Sequence, residues 1–531
     1  MKNNPNKLWI LVLALGWLFD FLFWKNPPGI NFAIFWTVSL LAGFFLLLSN
    51  GHRPHRNSLW LLPLFGFFAV VTFIRSEPMT TFLAYTFTMF TLTVFTVTYL
   101  GGRWMQYAFA DHVSRFFALM GSLFVRPITF TVDVRKAQSE AGVQPSKFNF
   151  MPIVRGLVIA LPIVAIFASL LASADVVFGQ RLDNFIQVFK LENLPEYIFR
   201  LIYILVIGYA LGGIFLHDAH ASADEKLVGE DKPIVPPFLG FIESSIVLGS
   251  VVALFAAFVV VQFQYFFGGN TNINVDGYTY AEYARKGFGE LVAVAFFALV
   301  LLLTLSGVTK RETESQRKTY SGLGIALVSL LLVMLVSAYQ RLNLYEVVYG
   351  FSRLRTYTHV FLIWIGLLLV TTIVLEILRK ERAFAFAMLV ASFGFAASLP
   401  LLNVDAFIVN QNIQRELNGG DVEDLDAQYF IELSDDAIPT LVTALQTPTL
   451  PDTVHEKVGA ALVCIRLTRE QQRNDREYPW QSLHFSRLNA EKALDSVKTE
   501  LDTFTISVTE YPYVVNSPTG NEYYCSPYYF D

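Results

Sequence analysis

The sequence predicts an all-α fold: a polytopic helical membrane protein with about 11 transmembrane helices and a small, mainly helical C-terminal extramembrane region. Three observations predict it. Long apolar runs recur through the first 402 residues, each close to the roughly 20 residues that cross a bilayer core as a helix. The 531 residues are 54% hydrophobic and only 16% charged, against about 25% charged in soluble chains, so polar surface is too scarce to coat a soluble particle. Charge also splits with position: residues 403–531 carry 21 acidic and 9 basic side chains, and the remainder 23 and 30. A mildly basic membrane domain over 1–402 is therefore followed by an acidic region over 403–531.

Helices are the expected spanning form, because every backbone amide in lipid needs an internal partner. The runs are also too long and uninterrupted for barrel strands. The first, LWILVLALGWLFDFLFW, follows Lys2 and Lys7 and ends at Trp24, Lys25 and Pro27. No small-residue cleavage site follows, so it reads as an uncleaved span, with Asp20 near one end. Further spans are expected at about 30–48, 58–74, 79–100, 154–172, 198–216, 241–267, 288–308, 320–339, 357–377 and 384–402. Between the fourth and fifth lies a long link, about 101–153. There Trp104, Tyr107, Val113, Phe116, Phe117 and Met120 fall on one helical face. A helix lying in the membrane interface gives that pattern, and so does one that binds a protein partner.

Lys and Arg in the short links set orientation. Arg53, Arg56, Arg103, Lys226, Lys310, Arg379 and Lys380 are among the larger set, which falls in alternate links and favours a cytoplasmic N-terminus about two to one. In a bacterial cell (inner) membrane, 11 spans then place the C-terminal region outside. That region is expected to hold helices before Gly419–Gly420, in LSDDAIPTLVTALQ with Ser434 or Asp435 as N-cap, near 453–470, and in SRLNAEKALDSVKTELD. FTISVTEYPYVV favours strand, and NEYYCSPYYFD reads as aromatic and turn-rich. Cys464 and Cys525 both lie here; a disulfide in an oxidising compartment and two unpaired thiols are both open.

The strongest site signal is a set of polar boxes at the outer ends of spans. SADVVFGQ carries Asp175; YAEYARKGFGEL carries Glu282, Arg285 and Glu290; RLNLYEVVYGFSRLRTYTH carries Arg341, Glu346, Tyr349, Arg353, Arg355 and His359; NVDAFIVNQNI carries Asp405. All four boxes fall on the outer side of the assigned topology. Glu282, Arg285 and Glu290 have the spacing of one helical face, as do Glu346, Tyr349, Gly350, Arg353 and Tyr357. Charges beside lipid are costly and tend to pair, so Glu282 and Glu346 are expected to meet Arg285, Arg341, Arg353 or Arg355. Such a cluster either pins helix ends together or forms a pocket for a lipid headgroup, an ion or a solute.

Weaker signals point elsewhere. HDAHASADE places His217, Asp218, His220, Asp224 and Glu225 in one loop, residue types that bind metals, but no second ligand set accompanies them and a solvated loop is preferred. Gly208 and Gly212 form a small-residue spacing suited to close helix packing. No zinc-protease, phosphate-loop or nucleophile-elbow motif is present, and no basic run marks a nucleic-acid site. No cofactor or metal is expected. The expected partners are the lipid bilayer and a protein bound through the C-terminal region or the 101–153 link.

SADVVFG, YAEYARKGFGELVAVA, RLNLYEVVYGFSRLRTYTHVFLIWIG, PLLNVDAFIVNQNI and YFIELSDDAIPTLV, with SLHFSRLNAEKAL as a looser match, resemble a bacterial membrane family, domain of unknown function 4173, close to the 4153 group. The likeness covers about residues 150–495. It implies a multi-pass bacterial membrane protein and carries over no catalytic residue. The preferred function is non-enzymatic: structural, sensory or partner-binding. The alternatives are a transporter or channel for a small solute or ion, and a membrane enzyme acting on a lipid-linked substrate.

Overall fold

The computed structural model describes residues 5–140, 160, 163–164, 166–175, 177–182, 194–230, 235–267, 288–418, 425–475, 478–507 and 513–525, without the side chains of 263–267, 288–290, 344, 348, 381 and 472–475. Helix dominates, and eleven of the described helices are long and apolar enough to cross a membrane. The number agrees with the sequence, but one member differs. Phe109–Glu140, within the expected 101–153 link, has the length and hydropathy of a span. Of the expected span at 154–172, residues 154–159, 161–162 and 165 lie outside the described residues, and the other ten are helical. The amphipathic face drawn through that link also needs correction. Trp104 sits in a short 3-10 turn, Trp104–Gln106, with Tyr107 just beyond it; both are buried, and the long helix starts only at Phe109. Val113, Phe116 and Phe117 do stand exposed.

The chain forms two compact units. One comprises residues 1–26, 34–54 and 115–223. Its main seam packs Pro5–Phe23 on Leu194–His220, filled by Leu8, Val12, Leu15, Leu211, Phe215 and Leu216. Between helices in lipid the gain comes from close packing, and small residues permit it. A Cβ on Gly16 would lie 2.5 Å from the Ile204 carbonyl oxygen, and one on Gly208 2.9 Å from that of Val12. Gly212 has only ordinary clearance, 3.8 Å from the Trp9 ring. At one end of the seam buried Asp20 accepts from Arg200 at 2.9 and 2.5 Å and from the Tyr203 hydroxyl at 2.8 Å. This bidentate grip satisfies a carboxylate that lipid would otherwise penalise.

The other unit comprises residues 27–33, 55–114 and 224–531. Leu61–Ile74 pairs with Pro78–Val97, and their Phe68, Val71 and Ala84 pack with Leu389, Phe393 and Ala396 of Phe384–Leu402. Phe241–Phe267, Phe288–Val308, Glu314–Tyr349 and Arg353–Ile377 share a second core around Leu248, Leu299, Leu302, Leu327, Leu331 and Leu369. After Leu402 the chain turns through left-handed Asn403, φ 54°, into Val404–Leu417. A third core runs from Leu399 through Val404, Ile408 and Val409 to Phe430, Leu441, Leu462 and Val515. The apolar interior of the last span therefore continues into the C-terminal region.

That region contains Ile438–Leu445, Asp452–Asp475, Phe485–Ser496 and Lys498–Leu501, close to the expected helices though the last one is split in two, and a short helix, Ala427–Ile431, that was not expected. The expected N-cap is not the one used: Ala437 occupies it with no side-chain cap, while the Asp435 carboxylate pairs with Arg469 and the Ser434 hydroxyl accepts from the Asp436 N–H. Strands β1 (Thr505–Ser507), β2 (Tyr513–Asn516) and β3 (Glu522–Cys525) form an antiparallel sheet in that order, with Val515 opposite Ile506 and Tyr523. β3 falls where turn was expected. Its last residue, Cys525, is bonded to Cys464 with Cα atoms 5.3 Å apart, which resolves the open alternative for the cysteines.

Candidate functional site

The site grows from the break between two spans. Glu314–Tyr349 ends at Gly350, whose φ of 74° suits glycine; a Cβ there would lie 2.8 Å from Asn412 Oδ1. Asn412 then holds the next residue as a strand would. Its Oδ1 accepts from the Phe351 N–H at 2.6 Å, and its Nδ2 donates to the Phe351 carbonyl at 2.9 Å. The helical face drawn from Glu346 to Tyr357 is therefore interrupted, and Arg353 and Tyr357 belong to a new helix.

Arg353 opens that helix and donates twice to buried Asp405, Nε–Oδ1 2.8 Å and Nη2–Oδ2 2.6 Å. Asp405 Oδ2 also accepts from the Ser434 N–H at 2.7 Å, and the Arg353 N–H reaches the Tyr429 hydroxyl at 2.9 Å. Burial pushes the Tyr429 phenol pKa up, so it stays protonated. Glu346 does not meet an arginine as expected. It pairs with His359, Nε2–Oε2 2.5 Å, while the Tyr339 ring packs edge-on against the imidazole. The helix break explains the exchange. Arg353 faces the residues after the last span, and Arg355 donates to the end carbonyls of Tyr349 and Gly350 while its guanidinium lies 4.2 Å from the Tyr345 ring centre. Arg341 is half-buried.

Asp175 caps its own turn, accepting from the Val177 and Phe178 N–H groups at 2.7 and 3.1 Å. Glu282 and Arg285, and the side chain of Glu290, lie outside the described residues.

Two carboxylates missed in the sequence complete the site. Glu77 is buried and caps Pro78–Val97, accepting from the Met79 N–H at 2.9 Å, the Thr80 N–H at 2.7 Å and the Tyr357 hydroxyl. Asp436 accepts from the Ser76 and Glu77 N–H groups at 2.7 and 3.0 Å, with Arg75 Nη1 3.8 Å from its other oxygen. Asp435 pairs with Arg469. Thus the turn Ser434–Asp436 grips both the link between two spans and the residue that Arg353 holds. The only signal for this in the sequence is the acidic LSDD turn, which also fits a helix cap.

A second polar set joins other links. Asp111 accepts from the Ala108 and Val228 N–H groups at 2.8 and 2.6 Å and from Arg382 at 3.2 Å. Asp224 accepts from the Arg103 N–H and the Tyr107 hydroxyl, both at 3.0 Å, and Arg103 pairs with Glu230 at 2.6 Å. HDAHASADE is not the solvated loop expected: His217–His220 close the helix Leu194–His220, His217, Asp218 and Asp224 are buried, and His217 hydrogen-bonds Ser122 at 2.8 Å. Among the described residues no group of three or more His, Cys, Asp or Glu is placed to hold a metal.

Eleven membrane-length helices among the described residues, with polar residues closing span ends, define a polytopic α-helical membrane protein. The chain belongs to the family described as Domain of unknown function (DUF4153), which matches residues 62–444. The match takes in the third and fourth spans, beyond the reach of the quoted boxes, and it supports the 4153 group, leaving the 4173 assignment unsupported. No curated protein and no solved structure matches the chain.

Proposed function

We propose that this protein is a non-enzymatic scaffold of the cell membrane that presents its C-terminal region, outside the cytoplasm, to a protein partner. The observation that carries the reading is the Arg353–Asp405–Ser434 chain together with Asp436 on residues 76–77. Of the residues expected in the polar cluster, Arg353 and Asp405 bind each other, and through Ser434 they fasten the C-terminal region to span ends. Breaking a buried ion pair costs about 3–5 kcal/mol, enough to hold that region in one pose.

The contacts also support the sidedness. Links 75–77, 350–353 and 403–436 meet in one polar set, and residues 27–30 join Ser482 and Leu483 through hydrogen bonds of 2.8 and 3.0 Å. Links around Asn57, 103–111, 224–230 and 382 meet in the other. Alternating spans sort their links in this way. An even number of crossings between Arg103 and Glu230, as Phe109–Glu140 with Leu194–His220 would supply, fits their meeting. With eleven crossings, as counted among the described residues, the N-terminus and the C-terminal region would face opposite sides of the membrane, and the Cys464–Cys525 disulfide suits an oxidising compartment.

The test uses the full chain in detergent with Asp405→Asn. The scaffold reading expects a lower Tm and faster proteolysis of the C-terminal region. An unchanged Tm and unchanged protection would remove its basis. One observation favours a second reading, a transporter or channel: where buried Glu346 pairs with half-buried His359, Glu346 Oε1 and His359 Nδ1 have no hydrogen-bond partner among the described residues. Solute flux in proteoliposomes that Glu346→Gln abolishes without lowering Tm would favour it.

A further inference from the structure

An open pocket of about 300 Å³ lies where the link between Leu61–Ile74 and Pro78–Val97 meets the start of Phe485–Ser496. Its polar wall includes Ser76 and Tyr85 from the span side and His484 and Arg487 from the C-terminal side. Its outer edge includes Phe82, which is 63% exposed. The charge balance is uneven. Asp435 also lines the pocket, but Arg469 holds it, and Asp436 is taken by Arg75 and the backbone of residues 76–77. Arg487 has no carboxylate in ion-pair range among the described residues; its guanidinium lies 3.7 Å from the Tyr478 ring centre. Cation–π contact leaves the in-plane N–H donors of a guanidinium open to an acceptor. Tyr85 likewise packs its ring on Phe32, with centroids 4.6 Å apart, and its hydroxyl has no hydrogen bond among the described residues.

A cation and a hydroxyl donor at the polar end, with an exposed aromatic at the edge, match one class of molecule. The pocket lies at the end of two membrane-length helices, where headgroups lie. Trp480 and Phe485 stand exposed in the same stretch of chain as His484, as aromatic side chains do at the membrane–water boundary. Free phosphate would use Arg487 and Tyr85 but gain nothing from Phe82. We propose that this pocket seats the phosphate headgroup of an anionic lipid. Arg487 and Tyr85 donate to its oxygens, and its acyl chain lies along Phe82. This goes beyond the scaffold reading and stands or falls separately from it.

The test measures Tm of the full chain in detergent with added phosphatidylglycerol, phosphatidylcholine or inorganic phosphate. Phosphatidylglycerol is expected to raise Tm clearly more than phosphatidylcholine, and inorganic phosphate to leave it unchanged. Arg487→Gln and Tyr85→Phe are each expected to remove at least half of the phosphatidylglycerol shift, and Phe82→Ala to weaken it. Tyr85→Phe deletes a single hydroxyl, so it keeps the test decisive if Arg487→Gln does not fold. Equal shifts from the two lipids, a shift from inorganic phosphate as large as that from phosphatidylglycerol, or an undiminished shift in Tyr85→Phe would overturn the proposal.

Discussion

Arg353 grips Asp405 through two parallel hydrogen bonds, and the same Asp405 oxygen that receives its Nη2 also receives the Ser434 N–H. One carboxylate thus joins the start of a span, the helix that leaves the last span, and the turn between Ala427–Ile431 and Ile438–Leu445. Asp405→Asn halves the charge complement and turns one acceptor into a donor facing Arg353. The expected loss is about 3–5 kcal/mol, read as a large fall in Tm. Glu314→Gln is the control, since the Arg379–Glu314 pair is exposed and solvent screening leaves such a pair contributing little.

Glu77→Ala would strand the Met79 and Thr80 N–H groups and the Tyr357 hydroxyl at once. Loss of an N-cap costs about 1 kcal/mol, and each hydrogen bond to a charged group about 1.5–3 kcal/mol. The full chain should lose at least about 2 kcal/mol. Equilibrium denaturation in detergent checks this, and a loss no larger than that of Glu314→Gln would contradict it.

Gly16→Leu should separate Pro5–Phe23 from Leu194–His220, because the backbone contact at Ile204 leaves no room for a side chain. Gly212→Ala should be nearly silent, since its Cβ finds ordinary clearance. Comparing the two Tm values separates close packing from general sensitivity of these helices.

Cys464→Ser should lower stability of the C-terminal region by about 2–4 kcal/mol, the usual contribution of a disulfide closing a loop of this kind. Reduction of the wild-type protein should reproduce the effect. Alkylation of cells with an impermeant thiol reagent should find no free thiol in the wild type and one in the variant.

His484 supplies a pH dependence. Burial first, then Arg487, hold its pKa below the ordinary 6.5, while Asp436, Asp435 and the Arg75 carbonyl pull it the other way. Because the folded value is the lower one, the unfolded chain takes up the proton first as pH falls. The stability is therefore present above 6.5 and is lost as pH drops from 6.5 through the folded value. Tm measured across that window should fall, and His484→Gln should flatten the slope.

The sequence made some of this legible and hid the rest for definable reasons. Apolar run length exposes the spans, because lipid leaves the backbone one local solution. Asp405 and Arg353 were both visible as charges beside lipid, but their pairing was not, since Gly350 breaks the helical phase that spacing arguments assume. Spacing points Glu346 toward an arginine, whereas the structure gives it His359, thirteen residues away across that break. Glu77 and Asp436 look like ordinary link residues in the sequence; only the tertiary contact of one with the other's backbone gives them their roles. Asp20 was seen as a lone charge near the end of a span, and its partner Arg200 lies 180 residues further on.

The central claim is that the C-terminal region is seated on the span ends, and Ser76 and Ser486 measure it most directly. Their hydroxyl oxygens are 2.9 Å apart, although one belongs to the link between two spans and the other to a C-terminal helix. With both changed to cysteine in the full chain, mild oxidation of native membranes should give an intramolecular crosslink between positions 76 and 486 beside an intact Cys464–Cys525 bond. Two thiols that stay free under oxidant, with the native disulfide formed, would contradict the account.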